Sequence, residues 1–293
     1  MPRLPAHVLV ETNCRGHSVA AIMGSRGILC LDTPLLPTEA EIWKKKLLEK
    51  SRTISYIIQM DASPDRAFAA AHLASVYEGQ PPTLLAHQQT TDAMKTLQDS
   101  FKNSPLLAAL EASSYGLDPL SLRWPRPAMA FNGSMTLHWN PATVILRHAP
   151  STTPGACWVH LPDEKILFLG DAVSVSLPPL LHEGRFDAWL ETLALLRRAP
   201  YKDYRLFCSH GGWIDAEAVA KFANFLRAAQ RKAVAIREKS DPQKDIALAS
   251  QSLLEFFTFP AERKDFLSRR LQIGLRALWE REHAPAPEKT PAN

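Results

Sequence analysis

Short apolar runs separated by polar turns dominate the first 215 residues of the chain. Residues 54–58 form one such run, which is too short for a helix and suits a buried strand. Alanines with helical spacing follow at 67–73, after Ser63, a good N-cap residue, and Pro64, which suits a first helical turn. The pattern predicts a strand, a tight loop and a helix. Three charged residues fall in that loop: Asp61, Asp65 and Arg66.

Runs of strand length and stretches with helical spacing continue along the chain. Asn132-Gly133 is a strong hairpin signal, and the proline-rich segment 103–127 predicts short turns and loop that cover part of the fold. Strands are predicted at residues 7–11, 18–23, 27–31, 83–87, 128–131, 134–138, 143–147, 156–161, 165–169 and 204–208. Helices are predicted at residues 39–50, 91–97, 184–198, 216–239, 243–257 and 261–282.

The order of these elements predicts an α/β protein with a helical extension. Between residues 27 and 87 strands alternate with helices, which is typical of parallel βαβ units. Beyond residue 215 the pattern is helical only. We therefore expect one domain at residues 1–215, a C-terminal helical segment at 216–283 and a disordered tail at 284–293.

Composition and charge narrow the classes of function. Apolar residues make up 46% of the chain and charged residues 22%, as in ordinary soluble globular proteins. The net charge of +4 comes from basic and acidic residues that are interleaved, which argues against a nucleic-acid-binding surface. No apolar run is long enough to span a membrane and the N-terminus lacks an apolar signal core, so we expect a cytoplasmic protein. Four widely spaced cysteines are expected to be reduced and unpaired: Cys14, Cys30, Cys157 and Cys208.

Four short stretches occur in an order that resembles the metallo-β-lactamase superfamily. Residues 29–33 (Leu-Cys-Leu-Asp-Thr) are similar to its early strand ending in aspartate and threonine, and 153–156 (Thr-Pro-Gly-Ala) to its threonine-proline-glycine turn. Residues 167–171 (Leu-Phe-Leu-Gly-Asp) resemble the strand that ends in its metal-bridging aspartate, and 209–211 (Ser-His-Gly) its final histidine motif. The resemblance spans about residues 6–215 and implies a four-layer αββα sandwich.

The resemblance also implies a position for each metal ligand. The family's binuclear site uses a His-x-His-x-Asp-His loop, a histidine before the threonine-proline-glycine turn, an aspartate and a last histidine. On this chain the seven positions carry Asp61, Ser63, Asp65, Arg66, Thr152, Asp171 and His210. Three of the seven match the family's residue types: Asp65, Asp171 and His210.

This departure changes the expected chemistry. Serine and threonine hydroxyls are poor zinc ligands at neutral pH, and a guanidinium has no lone pair to donate. The resemblance therefore implies either no cofactor or one divalent metal (Mn, Fe or Zn) at an oxygen-rich site made of Asp61, Asp65, Asp171 and His210. As an alternative to a metal, we hypothesise that Arg66 pairs with Asp65 or Asp171 and holds the inherited metal pocket shut.

Simpler roles compete with this interpretation. Ser63 is explained as an N-cap, and Asp65 as an acid favourably placed in the first turn of a helix. We favour a purely structural role for Ser63 and Thr152, and the inherited pocket for Asp171 and His210. Three other histidines occupy none of the family's ligand positions: His17, His148 and His182.

Three functions remain open. The first is a non-standard or inactive hydrolase that acts as a binding or regulatory module for a small molecule or a protein. The second is a mononuclear metal-dependent hydrolase of an ester, thioester or phosphoester. The third is a metal-free enzyme with His210 as general base, Arg66 as an anion clamp and Asp65 beside them. The aromatic C-terminal helices either cover the site's mouth or form a homodimer face.

Overall fold

The apolar runs of the first 131 residues pair into one six-stranded sheet. In the computed structural model, which describes residues 3–50, 53–75, 81–236 and 242–283, the strand order is β1-β2-β3-β4-β5-β6. The strands β1 to β3 are antiparallel, whereas β3 to β6 are parallel, as the βαβ pattern predicts. The six strands are β1 Val8–Glu11, β2 Val19–Gly24, β3 Gly27–Leu31, β4 Ile54–Ile58, β5 Thr83–His87 and β6 Met129–Phe131.

A second six-stranded sheet has the order β12-β11-β10-β9-β8-β7. Its strands are antiparallel except for the parallel pair β10 and β11. The last strand, β12, was missing from the predicted elements because its three residues are too few to show a period. The strands are β7 Ser134–His138, β8 Thr143–His148, β9 Cys157–Leu161, β10 Ile166–Phe168, β11 Arg205–Cys208 and β12 Gly212–Ile214.

Asn132-Gly133 does not form the predicted hairpin. The strand before it, β6, pairs with β5 in the first sheet, and the strand after it, β7, pairs with β8 in the second. Gly133 has a φ of +61°, so the local turn is present as expected. The dipeptide specifies the change of chain direction, but it does not determine which strands pair. The turn carries the chain from one sheet to the other.

Helices form at most of the predicted places. The predicted helix at 91–97 is instead two shorter helices. The first of them begins earlier than predicted, because the ring of His87 at the end of β5 caps it by accepting a hydrogen bond from the amide of Gln89 (3.3 Å). Residues 237–239 of the predicted helix 216–239 and the tail 284–293 lie outside the described residues. The helices are α1 Pro37–Leu48, α2 Pro64–Ser75, α3 Gln88–Ala93, α4 Leu97–Phe101, α5 Glu111–Ser114, α6 Phe186–Leu195, α7 Ala216–Ala235, α8 Pro242–Leu254 and α9 Lys264–His283.

The two sheets pack face to face around an apolar core and are flanked by helices, which is the αββα sandwich expected from the sequence. Ile22, Leu29 and Phe168 are buried between the sheets, and Trp43 and Leu47 of α1 cover the outer face of the first sheet. Burying each such side chain contributes about 1.5–3 kcal/mol relative to its exposure.

The C-terminal helices share their core with the second sheet. Leu206 of β11 belongs to the same apolar cluster as Trp189 of α6, Phe225 of α7 and Leu271 of α9. The aromatic residues of this segment belong to that cluster or pack against it: Phe256, Phe257, Phe259, Phe266 and Trp279. Within the described residues no helix is long and apolar enough to cross a membrane. All four cysteines are free.

Loops that follow four strands meet at one edge of the sandwich. Backbone hydrogen bonds join them: the Asp32 amide donates to the carbonyl of Ile58 (3.0 Å), and the Ser209 amide to that of Gly170 (3.0 Å). The carboxyl ends of the parallel pair β3 and β4 therefore lie beside one another, as do those of β10 and β11. This edge holds the candidate site.

Candidate functional site

The loop between β4 and α2 turns sharply and directs its charged residues into the sandwich. The Asp61 carboxylate accepts a hydrogen bond from the Ser63 amide (2.8 Å), which closes the turn. The Ser63 carbonyl then accepts from the amides of Arg66 (3.1 Å) and Ala67 (3.0 Å), so α2 starts immediately and Ser63 stands at its N-cap. Arg66 therefore lies in the first turn of a helix that packs against the core.

Arg66 is the centre of a buried ion-pair network. Its Nη1 contacts the carboxylate of Asp32, its Nη2 lies 2.5 Å from Asp171 Oδ1 and 2.8 Å from Ser209 Oγ, and its Nε lies 3.2 Å from Asp61 Oδ1. The Nε contact is an ion pair that lacks hydrogen-bond alignment. Only 2% of the Arg66 side chain is exposed. The ion pair between Arg66 and Asp171 was one of the two pairings that we expected from the sequence.

The guanidinium of Arg66 faces three carboxyl groups, and the pKa values of two of them, Asp171 and Asp61, shift in opposite directions. Burial alone raises the pKa of Asp171, but Arg66, with His210 beside it, outweighs burial and holds that pKa at about 2. Burial and the neighbouring charge of Asp171 raise the pKa of Asp61 well above its ordinary value. Asp171 is therefore the ionised partner of Arg66, whereas Asp61 takes up a proton more readily.

Asp65 does not pair with Arg66: of the two acids that we expected as alternative partners, Asp171 is the one in contact. Its Oδ2 accepts a hydrogen bond from the Glu111 amide (3.0 Å) and its Oδ1 one from the Ala112 amide (3.0 Å). Arg270 Nη1 lies 3.9 Å from the same carboxylate. Asp65 thus anchors α5, in the segment predicted to cover the fold. Its side chain serves the packing of that segment, because both of its oxygens are engaged there.

His210 is held in a defined tautomer. Its Nδ1 lies 3.0 Å from the carbonyl oxygen of Gly16, so Nδ1 must carry the donated proton, and Nε2 lies 3.4 Å from Asp171 Oδ1. Burial lowers the pKa of His210 to about 4, although Asp171 opposes the effect. His17, whose ring lies 6.1 Å from that of His210, donates through its other ring nitrogen, Nε2, to the carbonyl of Thr33 (2.6 Å).

Several residues of the site were not predicted. Asp32 belongs to residues 29–33, which resemble the family's early strand. Because β3 and β4 are parallel neighbours, its position at the end of β3 could have predicted that it lies beside the β4 loop. Glu111, Arg263 and Arg270 come from the cover segment and the C-terminal part of the chain, and no local pattern singled them out. Arg263 binds Glu111 (2.8 Å), and Arg270 donates to the carbonyl oxygens of Pro178 (2.6 Å) and Ala109.

The remaining candidates divide between the site and its surroundings. Thr152 donates to Asp61 Oδ2 (3.1 Å) and thereby lies at the pocket, although its hydroxyl supports a carboxyl group rather than a metal. His182 lines the adjoining cleft, whereas His148 lies outside it, stacked on His87 with ring centroids 3.9 Å apart.

A cleft of about 480 Å³, including space open to solvent, adjoins the network. Asp171 and His210 contribute to its lining, and so does Arg270 of α9, from the C-terminal part of the chain. Its apolar walls come from Pro64, Leu97, Leu177, Pro179 and Leu180, and hydroxyl groups from Ser63, Thr152, Thr153 and Ser174.

The residues present do not fit a metal centre of the family's type. The positively charged Arg66 contacts Asp61 Oδ1 and Asp171 Oδ1, and Asp65 has both oxygens bound to backbone amides. Within residues 3–50, 53–75, 81–236 and 242–283, no group of three or more His, Cys, Asp or Glu side chains could hold a metal ion. The site made of Asp61, Asp65, Asp171 and His210 stays a prediction that this donor set does not favour.

Comparisons with known proteins identify the architecture. No protein-family model matches the chain, and no curated sequence does. A metallo-β-lactamase family protein from Thermus thermophilus superposes with a TM-score of 0.64 at 15% identity, over 96% of each chain. A metallo-β-lactamase from Pontibacter korlensis gives a TM-score of 0.58 at 13% identity, over 77% of this chain and 97% of that one.

A longer enzyme shares the fold as well. The stereoselective inverting sec-alkylsulfatase from Pseudomonas sp. gives a TM-score of 0.66 at 12% identity, over 98% of this chain but 50% of that one. At these identities the likeness concerns the fold alone.

Proposed function

We propose that this chain, which has the metallo-β-lactamase fold, is a binding module in which a buried arginine takes the place of the metal centre. The observation that supports this proposal is the contact of Arg66 with three carboxyl groups, those of Asp32, Asp61 and Asp171. A guanidinium is always protonated and presents its donors in a fixed planar fork. It therefore supplies permanent positive charge to the acids without offering a coordination site.

The network accounts for the loss of the ligand types. Buried carboxylates that lie close together need a cation between them, and Arg66 meets that need by turning a different nitrogen to each of the three acids. Because Arg66 takes the place of the metal, histidines at positions 61, 63 and 152 would have no metal to bind. The aspartate, serine and threonine found there instead pair with Arg66, form the turn before α2 and donate to Asp61.

The cleft beside the network provides the binding surface. Apolar walls with a few converging polar groups are typical of small-molecule sites. The similar structures include β-lactamases and an alkylsulfatase by their names, and hydrolysis by this chain is therefore the natural competing proposal.

A metal-free hydrolase is the second candidate. It is favoured by His210, whose Nε2 carries a lone pair at the cleft. Two features weigh against it. A pKa of about 4 makes His210 a weak base at neutral pH, and Arg66 has no free donor face with which to clamp an anion, since all three of its nitrogens contact acids.

A hydrolase panel separates these candidates. Chelator-treated protein and protein supplied with Mn, Fe or Zn are tested on ester, thioester and phosphoester substrates, alongside His210→Ala and the matched surface control His138→Ala. We expect no turnover above the buffer rate in any sample. Turnover that needs metal and disappears on chelation would contradict the proposal. Turnover that survives chelation but is lost in His210→Ala alone would establish the metal-free hydrolase.

A further inference from the structure

Two hydrogen-bond acceptors face each other at the floor of the cleft. His210 gives its Nδ1 proton to the Gly16 carbonyl, which leaves Nε2 as an acceptor in the neutral ring, and Asp171 Oδ1 lies 3.4 Å away. The His210 side chain is only 7% exposed, yet both residues line the cleft. Neither acceptor can donate to the other in this state. Asp171 Oδ1 already accepts a hydrogen bond from Arg66 Nη2 (2.5 Å), but a carboxylate oxygen has a second lone pair. A group rich in N–H donors, placed over both acceptors, would bond to His210 Nε2 and to that remaining lone pair together.

The cations near the cleft are already engaged. Arg66 contacts three acids, and Arg270 donates to the carbonyls of Pro178 and Ala109 and lies 3.9 Å from the Asp65 carboxylate. Among the described residues that line this cleft, Arg270 has its Nε and Nη1 donors engaged and an acid beside it, whereas Asp171 and Glu183 contribute carboxylates. These carboxylates attract a cationic ligand and repel an anionic one.

A second acid stands at the rim of the cleft. The side chain of Glu183 is 34% exposed and lines the cleft together with Asp171. The apolar side chains of Leu97, Leu177 and Leu180 line the same cleft. This arrangement combines an acceptor-rich floor with apolar walls.

We infer that the cleft binds a primary ammonium group attached to an apolar body, with the N–H donors directed at His210 Nε2 and Asp171 and the body lying along the leucine walls. The inference rests on the proposed function, because it takes the Arg66 network to be intact and metal-free. It assigns a ligand class opposite in charge to a carboxylate or a sulfate ester.

Three unbranched probes with six carbon atoms each test the assignment: hexylammonium, hexanol and hexanoate. Their affinities for the chelator-treated protein are compared by ligand-detected saturation-transfer NMR titration, which suits weak binding. We expect hexylammonium to bind at least about tenfold more tightly than hexanoate, because a charged hydrogen bond is gained in one case and like charges approach in the other. Equal affinities, or a preference for hexanoate, would overturn the inference.

Variants locate the binding group. Asp171→Asn is expected to weaken hexylammonium binding by about tenfold or more, and Glu183→Gln by a smaller factor. Glu191→Gln, at an exposed position on α6, is the matched control and should bind as the wild type does. If Asp171→Asn does not fold, Glu183→Gln and the wild-type preference decide the question. Hexylammonium binding that is unchanged in both Asp171→Asn and Glu183→Gln would place the probe elsewhere and refute the assignment.

Different results would contradict the binding module and the ammonium site. Near-stoichiometric metal in the purified protein would contradict the metal-free binding module, whatever the probes do. Metal-free protein that prefers hexanoate would contradict the ammonium site and leave the binding module in place.

Discussion

Replacing Arg66 by methionine removes the centre of the network while keeping a side chain of similar shape. Removing one partner of a buried ion pair typically costs about 3–5 kcal/mol, because the remaining charge is left uncompensated. Here the side chains of Arg66, Asp32 and Asp61 are 2%, 3% and 2% exposed, so water cannot replace the guanidinium. Because three acids lose a partner at once, we expect the upper half of that range at pH 7.

The loss of folding stability in Arg66→Met should be smaller at acid pH than at pH 7. Without Arg66 the carboxyl groups of the folded variant have raised pKa values, so they take up protons more readily than in the unfolded chain. The stability of the variant therefore falls as pH rises through those values, and its deficit relative to the wild type is larger at pH 7 than at pH 4.

Urea unfolding followed by far-ultraviolet circular dichroism at both pH values measures these differences. Arg66→Lys keeps the charge but loses the planar fork, and should fall between the wild type and Arg66→Met. Arg185→Met, at an exposed arginine before α6, should change the free energy of unfolding by no more than about 0.5 kcal/mol. An Arg66→Met protein within about 1 kcal/mol of the wild type at pH 7 would refute the reasoning.

Two further changes test other parts of the structure. Burial lowers the pKa of His210 from 6.5 to about 4, so the unfolded chain binds this proton first and wild-type stability falls as pH drops from 6.5 to 4. His210→Gln should remove up to roughly 3 kcal/mol of that fall, seen as a flatter plot of urea midpoint against pH; an unchanged slope would contradict the burial argument. Gly155→Ala would place a Cβ 2.3 Å from the Thr90 amide nitrogen, and we expect a loss of about 1–3 kcal/mol in the same assay, whereas wild-type stability would show that the turn moves freely.

Local patterns predicted the secondary structure well where they were strong. The apolar run at 54–58 is β4, and the alanine-rich stretch that follows Ser63 and Pro64 is α2. These signals come from periodicity and capping, which act over a few residues. The loop that they enclose lies at the sheet edge, as expected.

Long-range pairing was harder to predict. Asp65 bonds to the amide of Glu111, which lies 46 residues away in a segment without a clear pattern. The hairpin signal at Asn132-Gly133 gave the turn but not the sheet to which each strand belongs. Asp32 was overlooked although the parallel βαβ pattern places the end of β3 next to the β4 loop. The partners of a charged side chain depend on tertiary packing, which a local pattern does not contain.

The most direct test of the account is the metal content of protein purified without chelator from cells supplied with manganese, iron and zinc, measured by plasma mass spectrometry. Because Arg66 occupies the carboxylates of Asp61 and Asp171, the account predicts far less than one metal ion per chain under each supplement. The Arg66→Met protein, in which those carboxylates are released, serves as the comparison. Near-stoichiometric metal in the wild type would contradict the account and would favour a metal-dependent hydrolase instead.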